Sequence, residues 1–317
     1  MRSIFSPFIL CLCVCCNVVM SAQDSFTVMS YNVENLFDTI HDEGKNDYEF
    51  LPEGSHKWTR WRFYKKLQDI GKVIVATDSL KPCEIVGLCE VENDTVLTYL
   101  TEKTVLHRLG YKYIMTESAD DRGIDVALLY SPMRFRLMHY KSIRIQTTTP
   151  TRDVLYASGI IPGGDTLDIY QLHLPSKLGK SVAERNRKSI INGILTHADS
   201  VSRQRTNPTI IIMGDFNDEL KGKHMQIFAQ HGFKDLIAHK KPGSYKYKGV
   251  WQNIDHILIK TVRSWHIDSG ITYLPFLLEP DKTHGGMKPF RTFLGPAYHR
   301  GVSDHLPVWC RWEIGNK

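Results

Sequence analysis

The chain has 317 residues, 42% of them hydrophobic and 23% charged, with a formal net charge of +6 at neutral pH. That length and apolar content suffice to bury a sizeable core, and the lack of low-complexity tracts or internal repeats excludes a disordered or solenoid protein. The mild positive balance suits an anionic substrate but is too small to require nucleic acid.

The first residues read as an address. Arg2 supplies a short positive region, Ile4 to Met20 is mostly apolar and uncharged, and Ser21-Ala22 precede polar Gln23-Asp24. This is the pattern of a secretory signal peptide, residues 1–22, cleaved after Ala22. Its most apolar part, Phe8 to Met20, is short against the ~20 residues that span a bilayer. Cleavage is therefore expected over anchoring, with a periplasmic or extracellular product and no stable membrane span. A lipid anchor stays open because cysteines lie in the segment, although no small-residue pair precedes Cys15 or Cys16. Removing residues 1–22 takes away Arg2 and leaves a charge of about +5. It also takes Cys11, Cys13, Cys15 and Cys16, leaving Cys83, Cys89 and Cys310, an odd number that allows at most one intramolecular disulfide. Cys89 and Cys310 sit in apolar runs and read as small buried hydrophobes. No linker or charge block divides residues 23–317, so one domain, and a monomer, is expected.

Phe26 to Tyr31 reads as a strand that ends in Asn32. His56 to Ala76 carries Trp58, Trp61, Phe63, Leu67, Ile70 and Ile74 mostly at helical spacing, with lysines outside. Glu84 to Cys89 is a buried-type strand ending in Glu90, and Val96 to Leu109 a helix stopped by Gly110. Tyr111 to Met115, Ile124 to Tyr130, Phe135 to Ile145, Val154 to Ile160 and Thr166 to Leu172 follow as strands. Ser181 to Val201 is a long helix, Thr209 to Met213 a buried strand, and Trp251 to Ile259 and Leu306 to Trp312 close the series. Many strands with few helices, and no regular βαβ alternation, predict a layered α/β fold on mixed sheets.

Polar residues collect where these runs end: Asn32, Glu90, His173, Asp215 with Asn217, Asp255, and Asp304-His305. Singly, each has an ordinary use, as a turn cap, a solvated charge or a surface histidine. Jointly, strand ends gathered on one edge make a cleft, where function usually lives. A set rich in carboxylates with few nitrogens suits a hard cation and favours Mg²⁺ over Zn²⁺.

Six ordered stretches make the pattern specific: Tyr31-Asn32-Val33-Glu34-Asn35-Leu36-Phe37, Leu88-Cys89-Glu90-Val91-Glu92, His173-Leu174-Pro175-Ser176-Lys177, Gly214-Asp215-Phe216-Asn217, Ile254-Asp255-His256-Ile257 and Ser303-Asp304-His305-Leu306-Pro307. Their sequence and spread resemble the endonuclease/exonuclease/phosphatase superfamily of deoxyribonuclease-like, metal-dependent phosphoesterases. That resemblance implies a four-layer α/β/β/α sandwich, two packed mixed β-sheets flanked by helices. It makes Glu90 the principal Mg²⁺ ligand, with Asn32 and Asp304 beside it and Mn²⁺ as a substitute ion. Asp255 would orient His305, which acts as base for water or as donor to the phosphate; Asp215 is the rival base. Asn217 would hold a phosphate oxygen or the nucleophile, and His173 would contact the phosphate from the other side. Asp125 would orient His173, and Arg122 would touch a phosphate oxygen. The family often has glutamine where this chain has Cys89, whose side chain points away from Glu90 if the strand alternates.

The motifs specify the bond and leave the molecule open. Asp42 to Trp58 and Leu278 to Val302 read as specificity loops; the second interleaves Lys282, His284, Lys288, Arg291, His299 and Arg300 with Phe290, Phe293 and Tyr298. Basic and aromatic residues together suit a nucleic-acid substrate, and a solvated loop accounts for them equally well. A nuclease is the leading expectation, a phosphatase or phosphodiesterase on a small or lipid phosphate the alternative, and a non-catalytic phosphate-binding module the third.

Overall fold

A computed structural model describes residues 24–78, 81–176, 180–219 and 222–314. The expected signal peptide (1–22) and Lys177 lie outside the described residues. The apolar runs pair into two sheets of six strands each. The first holds β1 (Ser25–Leu36), β2 (Ile85–Val91), β3 (Lys112–Met115), β4 (Asp125–Tyr130), β13 (Ile267–Ile271) and β18 (Val308–Glu313), in the spatial order β13-β18-β1-β2-β4-β3. The second holds β5 (Arg136–Ile143), β6 (Val154–Ile160), β7 (Thr166–His173), β8 (Thr209–Asp215), β9 (Lys234–Asp235) and β12 (Asp255–Thr261), in the order β5-β6-β7-β8-β12-β9. β1 runs parallel to β2 and β7 to β8, while the remaining neighbours are antiparallel.

Alternation of side chains along each strand sorts the core into three slabs. Phe26, Val28, Ile85 and Val126 of the first sheet meet Leu167, Ile169, Ile211 and Ile257 of the second between the sheets. On the outer face of the first sheet, Met29, Tyr31, Val86 and Leu88 pack under α1 (Arg60–Thr77) and α2 (Asp94–Glu102). On the outer face of the second, Tyr170, Ile210 and Ile212 pack under α3 (Lys180–Arg203) and α4 (Lys223–Gln230). The result is the expected α/β/β/α sandwich. Three small hairpins rim one edge: β10–β11 (Tyr245–Tyr247, Val250–Gln252), β14–β15 (Leu278–Pro280, Met287–Pro289) and β16–β17 (Phe293–Leu294, Ala297–Tyr298).

Several boundaries differ from the sequence reading. Val96 to Leu109 is not one helix: α2 ends at Glu102, and Thr104 Oγ1 accepts from the Leu106 N–H to start a separate 3₁₀ turn, Val105–Leu109. Trp251 to Ile259 is not one strand. Asn253 donates to the carbonyls of Ile237, Ala238 and Lys240, turning the chain from the β11 ribbon into β12. β18 begins at Val308 because Pro307 has no N–H to give a ladder. β13 and α4 were not foreseen. Cys83, Cys89 and Cys310 are all free and buried, so no disulfide joins them. Among the described residues no helix is long and apolar enough to cross a membrane.

Candidate active site

At one edge of the sandwich, positions that point between the sheets change from apolar to polar. On β8, Ile211 and Met213 give way to Asp215; on β12, Ile259 and Ile257 lead back to Asp255; on β7, Leu167 and Ile169 lead on to Gln171 and His173. Register then brings them together, since Asp215 sits opposite Asp255 on one side and His173 on the other. From the facing sheet Phe26 and Val28 are followed in phase by Ser30 and Asn32. A β-bulge interrupts the β2 pairing between Cys89 and Val91, and Glu90 there takes φ +65°. The bulge re-aims a side chain that simple alternation would send toward α1. Cys89 stays in the inter-sheet core, as its phase requires.

The amide of Asn32 ties this cluster. Its Oδ1 accepts from the Glu34 N–H at 3.0 Å, so its Nδ2 faces the carboxylates and donates to Glu90 (3.2 Å) and Asp215 (3.1 Å). In this arrangement Asn32 fixes two carboxylates, one of them the expected metal ligand Glu90. The Asn35 N–H fills the other Glu90 oxygen at 2.8 Å. His305 Nδ1 pairs with Asp255 at 2.7 Å, as expected, while its Nε2 lies 3.8 Å from Asp215 and 4.0 Å from Asp304. Asn217, at φ +50°, donates its own N–H to Asp215 (2.8 Å) and its side-chain amide to the Leu174 carbonyl (3.0 Å), which leaves Oδ1 facing away from that bond.

Charge is unevenly settled here. Burial works against a charged His305, but Asp255, then Asp215 and Asp304, outweigh it and hold the imidazole well above its usual pKa. Burial and the neighbouring Asp255 charge push Asp215 up to about 7. His173 is the opposite case, held well below its usual value by burial and then by Arg152 and Arg122, so it is neutral. Its Nε2 is 3.5 Å from Asp215 and 3.9 Å from Glu90, and its buried Nδ1 has no hydrogen-bond partner among the described residues.

Asp125 does not orient His173. It shares the phase of Ala127 and Leu129, which face α1 and α2, and it accepts from Thr116 Oγ1 (2.6 Å) and the Ser118 N–H (3.0 Å). Arg122 is half-exposed and 3.9 Å from Asp120, with its field reaching His173.

Four further residues belong to the site, none of them named for the catalytic cluster by the sequence. Arg291 donates to Asp304 at 2.7 Å and lies 3.7 Å from Glu34. Glu34, at φ +51°, accepts from the Thr292 and Phe293 N–H groups and so anchors the Leu278 to Val302 loop. Tyr245 is bridged through its backbone to His305, and the two rings are 4.9 Å apart. Lys66, expected on the outer face of α1 with the other lysines, is instead buried and reaches the Val302 carbonyl at 2.9 Å. Glu34 had a signal in its place inside the Asn32 motif, and Arg291 in its place among the basic residues of the Leu278 to Val302 loop.

The donor set fits a divalent cation. Glu90, Asp215, Asp255 and Asp304 converge, and Asp255 Oδ1 is buried with no hydrogen-bond partner among the described residues. Ligand atoms of Asp215, Asp255 and His305 lie within 4.8 Å of one another. His305, however, is charged and already bonded to Asp255, and an imidazolium is no ligand. The carboxylates open to a hydrated ion are Glu90 and Asp304, whose side chains are 15% and 20% exposed against 2% for Asp215 and Asp255.

A family model described as the endonuclease/exonuclease/phosphatase family matches residues 27–313. Among curated proteins no match was found. Solved structures share the fold at low identity. An endonuclease/exonuclease/phosphatase family protein from Bacteroides thetaiotaomicron gives a TM-score of 0.62 at 18% identity, covering 93% of this chain and 100% of that one. The mannosyl-6-phosphatase of the same organism gives 0.60 at 18%, covering 91% and 100%. The human Nocturnin catalytic domain gives 0.59 at 18%, covering 92% and 98%.

Proposed function

The chain belongs to the endonuclease/exonuclease/phosphatase family of metal-dependent phosphoester hydrolases, and from that premise we propose that it is an exported, Mg²⁺-dependent phosphodiesterase acting on nucleic acid. The observation that carries the chemistry is the contact between Asp215 and the His305–Asp255 pair. Asp215, poised near pH 7, takes a proton from the attacking water. His305, charged through Asp255, donates to a non-bridging phosphate oxygen. Because the two groups are only 3.8 Å apart they serve one face of the phosphorus, so His305 does not protonate a leaving oxygen departing from the opposite face. Asp215 gives its proton up to solvent water after turnover, and the departing oxygen takes one from solvent. Neutral His173 and the free oxygen of Asn217 hold the phosphate and the water in place.

Glu90 and Asp304 are the residues that would hold Mg²⁺, with Asn32 and Arg291 fixing their carboxylates. When bound, the ion supplies positive charge for the phosphate and the departing oxygen. The nucleic-acid reading is supported by a cavity of about 580 Å³ beside the Asn217 loop, lined by His239, Lys240, Lys241 and Trp251. Cations and an indole face suit a backbone with exposed bases. Export is supported by the pattern of residues 1–22.

The test is turnover of plasmid DNA, RNA, sphingomyelin and a sugar phosphate by the purified protein with Mg²⁺, beside its His305→Ala and Glu90→Ala variants. Nucleic acid is expected to be cleaved, and each variant to lose most activity. No turnover of any phosphate ester with Mg²⁺ or Mn²⁺ would sink the enzyme reading, and cleavage of the sugar phosphate alone would sink the substrate. An N-terminus at Gln23 in protein recovered outside the cytoplasm is expected; an intact Met1 there would refute signal cleavage.

A further inference from the structure

The β10–β11 and β14–β15 hairpins enclose a second cavity of about 240 Å³, with Asp304 in its lining. Tyr245, Arg291 and Asp304 form its inner wall, and Lys248, His284 and Lys288 its outer one. Its two acids are already matched. Asp281 is paired with buried Lys246 at 3.0 Å, and Asp304 with Arg291 at 2.7 Å. The outer donors are less committed: Lys248 has no carboxylate partner among the described residues, and half-exposed His284, with ring nitrogens that can donate to an anion, is 3.5 Å from an Asp281 that Lys246 already pairs. Lys288 is 3.4 Å from Glu279, at the edge of pairing distance. A concave site with matched acids, a spare lysine and a free imidazole donor favours an anion.

The cavity is built firmly. Lys246 also donates to the carbonyls of Gly285 (2.8 Å) and Met287 (3.1 Å), tying one hairpin to the other. Gly249, at φ +83°, lets the β10–β11 turn close on His284, since a Cβ there would lie 2.7 Å from the His284 Cβ. The backbone bridge from Tyr245 to His305 ties this cavity to the catalytic histidine.

We propose that this cavity binds a second phosphate of the substrate, beside the phosphate that is cleaved, through Lys248 and His284. The proposal rests on the cleft being a phosphoesterase site. It predicts a preference for substrates with two phosphates, either a neighbouring nucleotide phosphate or the second group of a sugar bisphosphate.

Two measurements decide it. The first compares kcat/KM for a dinucleoside monophosphate and for the same dinucleotide carrying a terminal phosphate, with fructose 1,6-bisphosphate and fructose 6-phosphate as the sugar arm. A preference of about tenfold for the extra phosphate is expected, abolished in Lys248→Ala/His284→Ala, with the dinucleoside monophosphate rate unchanged. The arm that shows the preference identifies the source of the second phosphate. No preference in either arm, or an equal loss on all substrates in the double variant, overturns the proposal. The second measurement is calorimetric binding of adenosine 3′,5′-bisphosphate and adenosine 5′-monophosphate to the same two proteins. Tighter binding of the bisphosphate only in the parent protein is expected, and equal binding overturns the proposal. This second readout needs no turnover, so a protein that hydrolyses nothing would refute the enzyme reading while the cavity is still judged.

Discussion

His305 has three carboxylates within reach and is buried, so the balance between desolvation and charge sets its proton. The close pair with Asp255 tips that balance toward the cation. Asp215 bears the opposite consequence, because burial and the same Asp255 charge discourage its ionisation. Both shifts therefore run through one residue. The rate kcat/KM should rise as pH passes about 7, where Asp215 loses its proton, and fall at alkaline pH, where His305 loses its own. Asp255→Asn removes a negative neighbour from both groups, so both limbs should move to lower pH, and the rate at the optimum should fall about 10²–10⁴-fold as His305 loses its orientation. A pH–rate profile of the variant checks this, and unmoved limbs would show that Asp255 does not set either proton. His305→Ala should abolish the alkaline limb altogether.

Strands β7 and β8 carry His173 and Asp215 to the cleft, and their close approach depends on Gly214. Its φ is +139°, and a Cβ would lie 1.9 Å from the Leu172 carbonyl oxygen across the parallel ladder. Gly214→Ala must therefore push the strands apart or unpair them, at a cost of about 3 kcal/mol or more. Urea unfolding should show that loss together with a fall in kcat; a variant of parent stability would mean the ladder has slack. That strands like these end in a cleft was legible in the sequence, because an apolar alternation that turns polar in phase is a local signal. Asp215, Asp255 and His173 could be read that way. Glu90 could be named by its motif, although the bulge that aims it is a backbone event with no residue signature. Lys66 could not be placed at the site because its partner, the Val302 carbonyl, lies hundreds of positions away along the chain, and Arg291, legible only as a basic loop residue, gave no sign of its pairing with Asp304. The break before β12 was hidden for a similar reason, since Asn253 makes it by gripping carbonyls of a preceding loop.

Across the molecule, the modest charge of +6 understates how the site would meet a polyanion. The acids of the cleft are expected to be offset by Mg²⁺, while Lys240 and Lys241 stand beside Trp251 on the adjoining rim. A nucleic-acid backbone laid there exchanges its condensed counterions for these lysines, so KM should rise steeply with salt while kcat changes little. Lys240→Ala and Lys241→Ala lie outside the proton-transfer set, and each should weaken substrate binding and flatten the log KM against log salt slope by about 1. A small phosphate ester would touch the cleft without reaching that rim, and its KM should respond far less to salt or to either substitution. Steady-state kinetics on a single-stranded oligonucleotide and on a mononucleotide ester, each from 50 to 300 mM salt (roughly the range over which counterion release is felt), separates the two. Equal slopes for both substrates would place the lysines outside the binding path and leave the second-phosphate cavity as the contact for any longer chain.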